Sequence, residues 1–432
     1  MPEKPCRPRP RLWRFGDAVE TAVDDKRRED LKKELLHGID RSGLEKFRKT
    51  DEELEAIENR GLRAFYEAQN QRLNDWLEVD SIVMAIADDV LESMDPDPDN
   101  DGDMERRGGL QVVQGNITKL LPEEERQKRA TAAKRAAWAI NINVVANILL
   151  LAGKGVAVLS TGSLSLMASL VDSVLDLLCT LIIWTTNRIV QWRLDALQSR
   201  FPVGRRRLEP LGIVVFSIIM VVSFVQILKE SVEKLAPLHG VPEALPATAV
   251  GALLATVVVK GAIGLVCMRI KTTQVQALAQ DCKTDVIFNT LSLLFPLVGT
   301  KANVWWLDPA GAALLSLFII YDWGETCFEN VTRLSGETAS ERTQKKLMYM
   351  AYRFSHVIRG VKNIVAYHCG DRVWAEFDIL LDGDTALHRS HDIAETLQYC
   401  AEALEEVDRA FVTTDYSSSG PVGHAVGDGI AG

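Results

Sequence analysis

At 432 residues the chain is long enough for two or three folding units. Its 59 acidic against 49 basic side chains leave a formal net charge of −10, which excludes the basic surface of a nucleic-acid binder. The 7 cysteines are scattered, with no C-x-x-C pair, so neither a zinc knuckle nor a disulfide framework is indicated.

The average composition hides a strong segregation: residues 1–130 are highly charged, residues 137–324 carry apolar blocks, and the remainder is mixed. Residues 1–25 open on Pro and Arg without an apolar run. No cleavable signal peptide is expected there, and the stretch reads as disordered. Residues 43–92 place Leu54, Ile57, Leu62, Phe65, Leu73, Trp76, Leu77 and Val79 at helical spacing among charges. That pattern predicts amphipathic helices on the cytosolic side. Residues 95–103 are rich in Asp, as a calcium loop is, but two prolines and the lack of a correctly spaced closing Glu make them an acidic linker.

Apolar segments follow at roughly 137–159, 164–186, 210–231, 246–268, 279–300 and 304–323. Each is near the ~20 residues that cross a bilayer core as a helix. Positive charge gathers before the first segment (Arg126, Lys128, Arg129, Lys134, Arg135), between the second and third (Arg188, Arg193, Arg200, Arg205, Arg206, Arg207) and between the fourth and fifth (Arg269, Lys271, Lys283). The positive-inside rule then puts both termini in the cytosol. Beyond the last segment, residues 340–357 read as helix, 361–368 and 373–381 as strands joined at Gly370-Asp371, 388–404 as helix and 407–414 as a last strand. The order α-β-β-α-β suits a small α+β domain. The Ser/Gly-rich tail from Ser417 reads as disordered.

Carboxylates inside membrane spans are costly, and functional by default. The second segment holds Asp172 and Asp176, and the fifth opens on Asp281 and Asp285. Each pair has i,i+4 spacing, which sets both acids on one helix face. A structural role at a wetted helix end is the alternative for Asp281 and Asp285, which lie near the cytosolic end of their segment. Four oxygen ligands form a hard site, better suited to Mn²⁺, Mg²⁺ or Ca²⁺ than to Cu⁺, and no His falls in any segment. Asn143 and Asn147 share a face of the first segment and read as interhelical hydrogen-bonding groups, or as carbonyl ligands. Lys260 reads as snorkelling to the interface, with pairing to an acid as the alternative. Asp308 reads as the N-cap of the sixth segment, and His388, His391 and Asp392 as capping residues of the last helix or a regulatory metal site.

Several stretches carry a resemblance, Asp308-Pro309-Ala310-Gly311-Ala312 and residues 64–92 among them. Residues 163–176, running from Ser163 to Asp176, resemble the second helix of the cation diffusion facilitator (cation efflux) family. Phe201-Pro202-Val203-Gly204 with the following arginines resembles that family's basic loop, and Gln280-Asp281-Cys282-Lys283-Thr284-Asp285 resembles the fifth-helix site of its manganese-type branch. Cys282 and Thr284 depart from the His and Asn common in that branch; by helical rotation Cys282 is expected to face away from the metal. The resemblance implies a membrane all-α bundle of six transmembrane helices (131–330) with a cytosolic ferredoxin-like domain (331–416), an N-terminal cytosolic region (1–130) and a disordered tail (417–432). It also implies a homodimer and export of Mn²⁺ from the cytosol in exchange for protons, in an endomembrane more than the plasma membrane. No resident cofactor is expected. Zn²⁺ or Fe²⁺ as substrate, a channel whose flux ignores the proton gradient, and a membrane-anchored enzyme are the competing readings. No D-K-T-G, G-x-x-x-x-G-K-[ST] or Ser/His/Asp motif supports a pump, an ABC motor or a hydrolase.

Overall fold

The computed structural model describes residues 15–37, 41–93, 120–161, 207–237, 247–270, 273–302 and 304–419, with residues 173, 174, 176–178, 180–182, 184 and 185. The acidic linker at 95–103, Asp172, the loop arginines from 188 to 206 and most of the Ser/Gly-rich tail lie outside the described residues. The chain divides into two compact units. One joins Met1–Gln127 to Thr338–Tyr367 and Arg372–Gly432; the other comprises Lys128–Glu337 with His368–Asp371.

The second unit is built of helices: α5 (Glu123–Thr161) from Lys128 onward, the helical residues between 173 and 185, α6 (Leu208–Leu235), α7 (Ala247–Cys267), α8 (Thr273–Ala302) and α9 (Leu307–Leu334). The expected apolar segments fall on these helices in order, the second for its described residues only. Stretches in α5, α6 and α7, over Glu125–Val156, Pro210–Leu235 and Val250–Cys267, are long and apolar enough to cross a membrane. Asp281, Lys283 and Asp285 in α8, and Asp308 and Asp322 in α9, dilute the apolar character of the other two.

The unit is apolar outside and buries polar groups beside an apolar core. Leu149, Val222, Val258, Leu265 and Leu314 are exposed, while Asn143, Asn147, Asp176, Lys260, Asp281 and Asp285 are buried. Lipid rather than water is the medium that such a surface suits. α6 lies along α9, where the Phe216 and Trp323 rings meet at 4.6 Å. α7 lies along α8 at a close approach: a Cβ on Gly264 would stand 3.1 Å from Cys282 Cβ, so the missing side chain lets the two backbones close. The N-cap of α9, expected at Asp308, falls two residues earlier. The helix starts at Leu307 behind an N-cap Trp306 that gives no side-chain hydrogen bond, so Asp308 falls inside the first turn.

The first unit holds the α-β-β-α-β order expected from the sequence: α10 (Glu341–Arg353), β1 (Gly360–His368), β2 (Val373–Leu380), α11 (Leu387–Glu402) and β3 (Val407–Asp415). The sheet order is β1-β2-β3, with β2 and β3 parallel and Phe377 opposite Val412. Parallel neighbours need a crossover, which α11 supplies. Val373, Ala375, Phe377 and Ile379 alternate into the core, as a half-buried strand requires. Gly370 takes φ +92° at the β1–β2 turn, a conformation costly to any residue with a Cβ.

The N-terminal region joins this core. α1 (Phe15–Leu36), α2 (Arg41–Glu45), α3 (Asp51–Glu55) and α4 (Arg60–Ser93) precede it in the same unit. Residues 15–25, expected to be disordered, are helical. α1 is anchored further on by Leu31 and Leu35, both buried in the core shared with α4 and α10, and an anchored helix extends at little further cost. Val79, Ile82, Val83, Ile86 and Val90 form the buried stripe of α4. Leu62 and Phe65, from the same predicted periodicity, stay exposed.

Ion pairs flank the stripe. Asp80, fully buried, receives Arg353 Nε at 2.5 Å and Nη2 at 2.8 Å. Arg342 grips Asp75 through two contacts of 2.9 and 2.6 Å, and Trp76 stacks on Tyr349 at 5.1 Å. Lys346 Nζ bridges Glu78 at 2.8 Å and Glu406 at 2.7 Å. Burial opposes the Lys346 charge, but Glu406 and Glu78 outweigh it and hold its pKa above the ordinary lysine value. For Glu406 burial pushes upward, and Lys346 overrides it to leave the carboxyl below its usual range. Removing one partner of a buried pair strands the other charge. Asp80→Ala is therefore expected to destabilise the protein by about 3–5 kcal/mol, read from unfolding of the purified full chain. The exposed pair Lys345–Glu341 is the control, and Lys345→Ala should leave the same transition unmoved.

Candidate metal centre

The i,i+4 spacing of Asp281 and Asp285 places both on one face of α8, and Asp176 comes from the helical residues between 173 and 185. One carboxylate oxygen from each of the three lies within 4.8 Å of the others, and all three residues are buried. Two helices thus deliver three acids to one point among apolar spans. Asp172, one turn before Asp176, lies outside the described residues.

A cation from a third helix already meets them. Lys260, at 0 % exposure in the middle of α7, places Nζ 2.5 Å from Asp285 Oδ2, 3.2 Å from Asp281 Oδ2 and 3.8 Å from Asp176 Oδ2. The expected snorkelling is therefore corrected: Lys260 points inward and pairs. Physics favours that outcome. Each ionised side chain at the centre of a span costs about 2.5–3.5 kcal/mol on insertion scales, so three acids and a lysine left apart would cost roughly 10 kcal/mol. That sum is comparable with the whole stability of an ordinary domain. Three acids outnumber the one lysine, so the cluster can take up further positive charge, as protons or as a metal ion.

A polar shell on α5 orders the acid-bearing chain. Asn147 Nδ2 donates to Thr180 Oγ1 at 2.6 Å and to the Asp176 carbonyl at 3.5 Å. Asn143 Nδ2 donates to Thr180 Oγ1 at 3.4 Å, and Thr180 in turn donates to the Asp176 carbonyl at 2.8 Å. Interhelical hydrogen bonding is thus what both asparagines do with their amide nitrogens. The carbonyl oxygens differ: Asn143 Oδ1 faces the Cys282 thiol at 3.9 Å, while Asn147 Oδ1 is buried with no hydrogen-bond partner. Cys282 is turned onto α5 and is not one of the convergent ligand groups. On α8, Asn289 Nδ2 donates to the Asp285 carbonyl at 2.7 Å.

Sequence reasoning named the three described acids and the asparagines but not Thr180 or Asn289. The signal was present. Thr180 continues the stripe 172–176–180 and Asn289 the stripe 281–285–289, each by one more helical turn. Elsewhere, the expected capping by Asp392 is not made: α11 starts at Leu387 behind Ala386, with no side-chain cap. His388 is exposed, and the His391 ring lies 3.3 Å from Asp392 and 3.2 Å from Glu395 in an exposed position.

Apolar spans around a buried acid–lysine cluster define an integral, multi-pass membrane protein. Comparison with known proteins agrees: the family described as Cation efflux transmembrane domain matches residues 140–335. Metal tolerance protein 11 of Arabidopsis thaliana is 35 % identical over 309 residues, covering 71 % of this chain and 77 % of the relative. Metal tolerance proteins 5 and 7 of Oryza sativa subsp. japonica are each 35 % identical, over 310 and 304 residues, covering 71 % and 70 % of this chain and 74 % and 76 % of those relatives. The chain belongs to the cation efflux family. It is a cation efflux transporter of the metal tolerance group and not an enzyme.

The shell around Asp176 can be probed directly. Thr180→Val removes the shared acceptor and leaves two buried amide donors without their shortest contacts. It is expected to lower stability by about 1–3 kcal/mol, measured as thermal unfolding of the detergent-solubilised protein.

Proposed function

We propose that the chain is a proton-coupled antiporter that exports Mn²⁺ from the cytosol, with Asp176, Asp281 and Asp285 as ligands to the transported ion. The observation that carries this reading is the convergence of the three buried carboxylates within 4.8 Å. Asp172 joins them on the strength of its i,i+4 spacing to Asp176, and Asn147, with its buried carbonyl oxygen unpartnered, supplies a further oxygen beside Asn143. The donor set is oxygen alone, with neither His nor thiolate among the convergent groups, and hard oxygen donors suit Mn²⁺ better than Zn²⁺.

Proton coupling follows from charge. Carboxylates held in low dielectric without their metal gain protons, and an entering divalent cation releases them. Rocking of the helices opens the site to one side and then the other. The arginine-rich loops support cytosolic termini, with residues 1–130 and 331–416 as cytosolic regions around a transmembrane domain at 131–330. We further propose a homodimer in an endomembrane.

The test is uptake into proteoliposomes under an imposed pH gradient, with Mn²⁺, Zn²⁺, Fe²⁺ and Ca²⁺ compared. Mn²⁺ uptake is expected to dominate, to collapse with the gradient, and to fall to the level of empty vesicles in Asp176→Ala and Asp285→Ala. Undiminished transport in both variants would overturn the ligand assignment. Flux indifferent to the gradient would identify a channel.

A further inference from the structure

We propose that Lys260 is a tethered competitor of the transported ion: its ammonium fills the carboxylate cluster when no metal is there and must swing away before a divalent cation can bind. This rests on the reading of Asp176, Asp281 and Asp285 as ligands, and it adds a residue from α7 that contributes no ligand of its own.

The geometry requires the exchange. A small divalent ion lies about 2.0–2.6 Å from its oxygen ligands. Lys260 Nζ lies 2.5, 3.2 and 3.8 Å from oxygens of those same three carboxylates. An ion at bonding distance from them would press against the ammonium, two positive charges in near contact in a low-dielectric interior. Both cannot hold the cluster at once. α7 meets α8 at the Gly264–Cys282 contact one turn further on, which keeps the Lys260 stem within reach of Asp281 and Asp285.

The chemistry gives the competition a use. An exporter must return its emptied site across the membrane, and any carboxylate left ionised resists that passage. A lysine that steps into the cluster supplies a counter-charge without leaving the protein. It also sets a threshold. When the binding-competent state is a small fraction of the population, apparent affinity falls by that fraction. Metal then binds only where the cytosolic concentration is high, and release on the far side is assisted by the returning ammonium.

Lys260→Met keeps the length of the side chain and removes its charge. Mn²⁺ binding is measured by titration calorimetry on the purified full-length protein, beside wild type and Asp285→Asn. The expected result is binding at least about tenfold tighter in Lys260→Met, with a larger thermal stabilisation by Mn²⁺ than wild type shows and slower steady-state transport in proteoliposomes. Binding by Lys260→Met that is equal to or weaker than wild type, while Asp285→Asn loses binding, overturns the competitor role and leaves the ligand assignment standing. Binding by Asp285→Asn equal to wild type overturns the ligand assignment itself. Should Lys260→Met not yield folded protein even when prepared in Mn²⁺, Lys260→Arg decides. It keeps a cation of bulkier shape and is expected to bind Mn²⁺ more weakly than wild type, and equal or tighter binding overturns the proposal.

Discussion

The meeting of Lys260 with Asp176, Asp281 and Asp285 is the constraint around which the helical unit is organised. None of the four can be buried alone in an apolar bundle at an acceptable cost, and together they are buried almost completely. The bundle turns them inward because only there does each charge find its opposite. The same requirement explains why the outward faces can be apolar along their length, with Leu149, Val222, Val258 and Leu265 exposed.

The surroundings serve that meeting. The bare flank at Gly264 brings α7 against α8, and the aromatic contact of Phe216 with Trp323 locks α6 to α9 behind it. Asn143, Asn147 and Thr180 tie α5 to the backbone that carries Asp176, so that the acid is positioned through its carbonyl. The separate unit formed by the chain ends is held by a different logic: a buried stripe on α4, flanked by Asp75, Glu78 and Asp80, each gripped by a cation from α10. Cations at helix turns 342, 346 and 353 face acids at 75, 78 and 80, which fixes the register of one helix on the other.

Much of this was legible in the sequence because it is periodic. The apolar runs gave the helices, the alternation at 373–380 gave β2, and the i,i+4 acids gave the candidate site. What escaped was decided by contacts distant in sequence. Lys260 alone in an apolar run carries no local mark that says whether it climbs to the interface or turns inward; the choice depends on acids contributed by two other helices. The docking of residues 15–93 onto the C-terminal fold was hidden for the same reason, since Asp80 and Arg353 pair across 273 positions. The cap expected at Asp308 was displaced because the helix begins two residues earlier than the Asp-Pro step suggests.

The central claim is that three carboxylates from two helices hold one divalent ion. It is tested most directly by locating Mn²⁺ through its anomalous scattering in crystals of the metal-loaded protein. The account predicts one peak about 2.0–2.6 Å from oxygens of Asp176, Asp281 and Asp285. A peak elsewhere, with none among these residues, would contradict it.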